Sequence, residues 1–62
     1  MSPRRHRVLE LIAEGYTNDQ IARALDISEE TVKTHVRKLL GALGARCRAH
    51  AVAIGFRKGL LG

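Results

Sequence analysis

The sequence predicts an all-α fold, a bundle of four helices, on three observations. Apolar residues recur at helical spacing in short stretches separated by turn residues, as at Val32, Val36, Leu39 and Leu43, which stand at i, i+4, i+7 and i+11. Three of the stretches open on a residue suited to capping, Ser2, Thr17 and Ser28. The one proline, Pro3, stands at the start, and no linker or low-complexity run follows it. With 62 residues the chain has room for one small domain, expected to span 1–62. Aromatic residues are only 3%, so the core must be built from Leu, Ile, Val and Ala. Domains of this size are marginal without staples or a partner.

Each helix follows from its ends and its stripe. Ser2 and Pro3 read as N-cap and first helical position. Val8, Leu9, Leu11 and Ile12 then form an apolar face that ends near Gly15. Thr17-Asn18-Asp19-Gln20 has the form of a capping box and opens a second helix, with Ile21, Ala22 and Leu25 as its buried stripe. That helix ends by Asp26, and Ile27 plugs the core from the turn. Ser28 caps a third helix over about 29–43, with Glu29 and Glu30 in the first turn, where the helix dipole favours anions. Gly44 follows as a C′ glycine. A basic loop from Ala45 leads to a fourth helix, roughly 48–58, and Leu60-Leu61 fold back as an apolar lid after Gly59.

Composition narrows function before any motif is read. Cys47 is the only cysteine, which excludes a disulfide framework and a Cys-rich metal site and fits a reducing, cytoplasmic setting. No apolar run approaches the ~20 residues needed to span a membrane. Met1-Ser2-Pro3-Arg4-Arg5 leads into no signal-peptide stretch. His6, His35 and His50 lack metal-ligand spacing, so no metal and no cofactor is expected. No nucleophile stands beside a base and no glycine loop suits a phosphate, so an enzyme is not expected. Charge is distributed unevenly. Residues 1–30 carry four basic and six acidic groups, a net −2, whereas residues 31–62 carry seven basic groups and no acid, a net +7, which together give +5. A half-chain without acid can present a continuous positive surface to a polyanion.

The spacing of the second and third helices gives that surface a shape. A short helix, the tight turn Asp26-Ile27-Ser28 and a longer helix make a helix-turn-helix, closed beneath by the first helix. The side of the third helix opposite its apolar stripe carries Glu30, Lys33, Thr34, Arg37, Lys38 and Gly41. Lys33 and Arg37, at i and i+4, project from successive turns, and an exposed helix bearing such donors fits the major groove of DNA. Thr17 and Asn18 at the start of the second helix add a hydroxyl, an amide and free backbone N–H groups for a phosphate. The rival reading is a basic helical protein-interaction module that sets the same face on an acidic protein partner.

These residues carry a family resemblance. Gly15-Tyr16-Thr17-Asn18-Asp19-Gln20-Ile21-Ala22, then Leu25 through Val36 with its Ser-Glu-x-Thr-Val-Lys-x-His string, then Leu43-Gly44, resemble the LuxR-type (GerE-like) helix-turn-helix domain. Ser2-Pro3-Arg4 and Val8-Leu9 resemble its opening, and Ala51-Val52 and Gly59-Leu60-Leu61 its end, so the likeness covers essentially the whole chain. The resemblance implies a bacterial DNA-binding domain that regulates transcription, often as the output of a response regulator or quorum-sensing activator. It implies base contacts from Lys33, Thr34 and Arg37 and phosphate contacts from Thr17, Asn18, Thr31 and His35. It also implies dimerisation through the fourth helix on inverted repeats, where Ala49, Ala53 and Phe56 form one stripe and Val52 and Gly55 a neighbouring, inward one. The expected partners are double-stranded DNA, a second copy in a weak homodimer, and RNA polymerase.

The chain departs from the family pattern in three places. Arg5 stands where the family usually has Glu, which removes a capping-box carboxylate, sets cations at a helix N-terminus, and leaves the first helix prone to fray or Arg5 free for DNA or a partner. Gly41-Ala42 replace residues that are often basic, so the third helix is expected to bend or fray there and to lose phosphate contacts, with Arg46 and Arg48 taking over. Cys47 replaces the polar N-cap usual before the fourth helix and leaves its start less sharply set.

Overall fold

The computed structural model describes residues Met1–Gly62. The helices are α1 (Pro3–Ala13), α2 (Asn18–Leu25), α3 (Glu29–Leu43) and α4 (Arg48–Arg57), with no strand between them. The expected four-helix bundle with a helix-turn-helix is what forms, and α4 ends one residue earlier than expected.

Local chemistry sets each boundary. Ser2 Oγ accepts from the backbone N–H of Arg5 at 3.2 Å, so α1 starts at Pro3 even though Arg5 supplies no carboxylate. The cap uses the main chain of Arg5 and is indifferent to its side chain, which is why the expected fraying is absent. Gly15, at φ +89°, turns the chain back so that Tyr16 N–H reaches Leu11 O at 3.1 Å. The end of α2 is closed by Asp26 in the left-handed region (φ 56°, ψ 48°), a conformation a short polar side chain tolerates. Ile27 N–H then reaches back to Ala22 O at 3.0 Å, and the half-buried Ile27 packs against the core, as the turn was expected to place it. Ser28 Oγ accepts from Thr31 N–H at 3.1 Å and opens α3 directly.

Two further expectations are corrected. α3 runs through Gly41 and Ala42 to Leu43 without a break, and Gly44 (φ 66°) ends it, with Ala45 N–H bonded to Leu40 O at 2.9 Å. A helical glycine costs about 1 kcal/mol against alanine. Burying Leu39 completely, with Leu40 and Leu43 packed on the core's edge, outweighs that cost at about 1.5–3 kcal/mol for one large aliphatic side chain. α4 starts at Arg48 even though the Cys47 thiol makes no cap bond: Ala51 N–H reaches Cys47 O at 2.9 Å, and His50 Nδ1 accepts from Arg46 N–H at 3.0 Å in the turn before the helix.

The core is aliphatic. Val8, Leu9, Leu11 and Ile12 of α1 meet Ile21 and Ala22 of α2, Val32, Val36 and Leu39 of α3, and Ala51 and Ile54 of α4, and no polar or charged side chain is buried with them. Leu25 and Leu43 lie half-buried at its edge. α2, α1 and α4 all pack on α3, and α4 also packs on α1. The C-terminal residues fold back as expected. Leu60 and Leu61 N–H both donate to Gly55 O, at 2.8 and 3.2 Å, and His6 Nε2 donates to Leu60 O at 2.7 Å.

Two helical glycines therefore make opposite predictions. A Cβ on Gly41 would meet nothing within 4 Å, so Gly41→Ala is expected to stabilise the fold by about 0.5–1 kcal/mol. A Cβ on Gly55 would stand 2.8 Å from Leu61 Cδ1 and 3.1 Å from Cδ2 of the fully buried Leu9. Gly55→Ala is expected to lose about 1–3 kcal/mol, a large part of the roughly 3–9 kcal/mol available to a domain of this size. Urea unfolding of both variants checks the pair, and equal effects would contradict the packing of the lid on Gly55.

Candidate nucleic-acid interface

Because Val32, Val36 and Leu39 hold one side of α3 in the core, the other side is fixed in solvent. Thr31, Lys33, Thr34, Arg37 and Lys38 are all exposed there, and His35 is half-buried on the flank. Lys33 Nζ stands 3.3 Å from Glu30 Oε1, with both side chains largely in solvent. An exposed pair of this kind is worth about 0.2–1 kcal/mol, so it leaves Lys33 available. Arg37 and Lys38 have no carboxylate partner at all. Thr34 is less free. Its hydroxyl donates to Glu30 O at 3.2 Å, which leaves a methyl group and oxygen lone pairs to face outward. Thr31 Oγ1 shares a hydrogen with Ser28 Oγ at 2.8 Å.

The start of α2 supplies the second part of the surface. Thr17 Oγ1 accepts from Gln20 N–H at 3.2 Å, and Gln20 Oε1 accepts from Thr17 N–H at 2.9 Å, which is the capping box the sequence contains. The N–H groups of Asn18 and Asp19 stay without an internal partner, as the first donors of any helix do. Arg48, the first residue of α4, reaches across to this end. Its Nη2 donates to Tyr16 O at 2.9 Å and its Nη1 donates to Asn18 Oδ1. Tyr16, Thr17, Asn18, Asp19, Glu29 and Arg48 line one open concavity.

The structure thus brings Thr17, Asn18 and Arg48 together and spreads Lys33, Thr34 and Arg37 along the exposed side of α3. Arg46 is exposed in the turn before α4, and Ala49, Ala53 and Phe56 form an exposed stripe on α4, away from buried Gly55 and half-buried Val52. Sequence reasoning missed three features here. The fork of Arg48 on Asn18 and Tyr16 joins residues 30 and 32 positions apart, and no local pattern signals it. Asp19 and Glu29 add carboxylates to the concavity, and Asp19 is neutralised by Arg23 at 3.0 Å. His50 holds the turn before α4 by accepting from Arg46 N–H, which only its spacing from Arg46 suggests. No group of three His, Cys, Asp or Glu side chains is arranged to hold a metal, and no helix is long and apolar enough to cross a membrane.

Comparisons with known proteins bear on the family and the fold. The family profile described as "GerE: Bacterial regulatory proteins, luxR family" matches residues 1–54. The HTH-type transcriptional regulator MalT of Yersinia pestis (strain Pestoides F) is 48% identical over 52 residues, which is 84% of this chain and 6% of MalT. The chain therefore spans only a small part of the length of that relative. Among solved structures, the transcription factor GerE superposes with a TM-score of 0.92 at 29% identity, covering 100% of this chain and 92% of that one. The response regulator ChrA of a heme-sensing two-component system gives a TM-score of 0.92 at 36% identity, over 95% of this chain and 29% of ChrA.

The capping box makes a local prediction. Thr17→Ala removes the acceptor for Gln20 N–H and is expected to destabilise the chain by about 1 kcal/mol, within the usual 0.5–2 for a lost N-cap. Hydrogen exchange at the Gln20 amide should accelerate while amides in the middle of α3 change only by the global loss. Uniform acceleration everywhere would show that α2 has no local opening of its own.

Proposed function

The chain belongs to the LuxR family of bacterial regulatory proteins, a family of DNA-binding transcription regulators and not of enzymes, and on that premise we propose that it reads a specific DNA sequence with α3 in the major groove. The observation that carries the proposal is the two-sided nature of α3, which buries Val32, Val36 and Leu39 and leaves Lys33, Thr34 and Arg37 in solvent at helical spacing. Arg37, free of any carboxylate, is long enough to donate twice to guanine O6 and N7, and Lys33 reaches a neighbouring base edge. Thr34, its hydroxyl held by Glu30 O, presents its methyl group to a thymine methyl. Thr17, Asn18, Thr31, His35 and Arg46 grip phosphates on either side, with Arg48 in the same concavity as Thr17 and Asn18. Half or more of the hydrogen bonds in such an interface go to the backbone and set register, while base contacts set sequence.

Pairing belongs to the same proposal. Ala49 and Ala53 allow a second α4 to approach closely, and Phe56, 58% exposed, supplies most of the apolar area. A patch this small does not overcome the several kcal/mol of rigid-body freedom lost on association. Two copies then meet on DNA, where an inverted repeat holds them at high effective concentration with the same patch on both partners.

Selection of bound duplexes from a random pool tests the whole reading, because it returns a preferred sequence and a half-site spacing together. A basic surface that binds an acidic protein would return no preferred sequence. On the selected site, Arg37→Ala is expected to lose about 1–3 kcal/mol of binding, with little loss on random DNA. Equal loss on both would make Arg37 a phosphate contact. Ala53→Glu is expected to abolish cooperative filling of two half-sites in a gel shift while leaving one half-site nearly unaffected, because it sets two like charges across the axis. Survival of cooperativity would remove α4 as the pairing surface.

A further inference from the structure

Only two side chains, His6 and Arg48, make hydrogen bonds between distant parts of the chain; every other side-chain hydrogen bond joins residues three or four positions apart. Arg48 is half-buried and stands at the first position of α4, a helix that packs on α1 and α3 rather than on α2. Its guanidinium nevertheless holds the start of α2 at two points, Tyr16 O and Asn18 Oδ1.

The chemistry of that fork is asymmetric. A guanidinium donates five N–H groups and accepts nothing, whereas a primary amide has one accepting and one donating end. Arg48 therefore binds only the oxygen of Asn18, a residue that lines the concavity, and the two donors on Asn18 Nδ2 have no hydrogen-bond partner within the chain. Unheld, the amide can turn through half a circle and show its oxygen outward, where it would repel a phosphate oxygen. The direction matters more here than on an ordinary surface, because Glu29 brings an unpaired carboxylate to the same concavity, beside Asp19, which Arg23 pairs. The Asn18 and Asp19 N–H groups, both unpaired, stand beside the oriented amide.

We infer that Arg48 is a positioning residue, which fixes the Asn18 amide with its nitrogen outward as a dedicated donor to a DNA phosphate and so makes the phosphate grip of α2 depend on α4. The inference rests on the DNA-binding reading and replaces a direct phosphate contact by Arg48 with one made through Asn18.

The composition of the chain makes the test clean, since Asn18 is its only asparagine and Gln20 its only glutamine. A nitrogen-15 spectrum of the labelled chain therefore contains two side-chain amide pairs, and Gln20, held in the capping box, serves as the internal reference for an intact α2. On addition of a short mixed-sequence duplex, the Asn18 pair should shift by more than the Gln20 pair, which feels the duplex only through Thr17. In Arg48→Ala the Asn18 shift should vanish with the Gln20 pair unchanged. Affinity for the duplex should fall roughly tenfold, as expected for a lost hydrogen bond to a charged group, in Arg48→Ala and Asn18→Ala alike. The double variant should be no weaker than either single one. The slope of log affinity against log salt should be nearly unchanged in Arg48→Ala, because the group that meets the phosphate is neutral. A slope reduced by about 0.9, with the Asn18 shift retained, would make Arg48 itself the phosphate ligand and overturn the inference. Multiplying losses in the double variant would overturn it as well. Should Arg48→Ala lose the Gln20 signal and prove unfolded, the unmodified chain decides: an Asn18 pair that ignores the duplex while α3 backbone signals move refutes the role of Arg48 alone. A duplex that moves no signal anywhere refutes the DNA-binding reading and this inference with it.

Discussion

Three helices lean on one aliphatic stripe, Val32, Val36 and Leu39 of α3, and the rest of the molecule follows from that burial. The stripe is the common wall of the core, so α3 has no rotational freedom about its own axis. Turning it by one residue would carry Lys33 or Arg37 into an interior that contains no polar group to receive it. Burying an unpaired charge there would cost far more than a domain of this size has to give. The same contacts that fold the chain therefore aim its exposed cations. The core and the candidate interface share one helix but use opposite sides of it, which leaves the outward residues open to change without loss of the fold.

The charge pattern supports this division of labour. Three ion pairs, Arg7 with Glu10, Arg23 with Asp19 and Lys33 with Glu30, span one helical turn each on the surface. Pairs of this kind contribute about 0.2–1 kcal/mol each, so they do not hold the bundle together. Their effect is to neutralise half of the six carboxylates and leave most of the eleven cations uncompensated. Such a surplus lowers stability through self-repulsion and favours a polyanionic partner that relieves it.

The fold could be read from the sequence because its rules are local. Caps at Ser2, Thr17 and Ser28, the stripe of α3 and the glycines at positions 15 and 44 act within one or two turns, and each does what its spacing implies. The misjudged boundaries failed for one shared reason. Arg5, Gly41 and Cys47 are each unfavourable in their local setting, whereas a main-chain cap at Arg5, buried Leu39 near Gly41 and the bond from Ala51 N–H to Cys47 O decide the outcome. The candidate interface was less accessible to sequence reasoning. The exposed face of α3 follows from periodicity, but the concavity at the start of α2 is assembled from α2, α3 and α4, and its assembly depends on tertiary distance. Arg48 was visible as one more cation in a basic loop. That it spends two donors inside the protein is a fact about where α4 begins in space.

The position of that fork bears on how two functions of one small domain are connected. The proposed pairing surface on α4 and the proposed reading surface on α2 and α3 need no link if each merely adds its own free energy. Here the first residue of α4 is bonded to the first residue of α2, so a shift of α4 as its partner seats would act on Asn18 before it reached the base-reading side of α3. α3, locked to all three neighbours through the core, is the element least able to respond. Phosphate contacts set register and base contacts set sequence. A coupling that enters through Asn18 would therefore tune how firmly DNA is held while leaving unchanged which sequence is preferred, and that separation suits the proposed pairing of two copies on an inverted repeat.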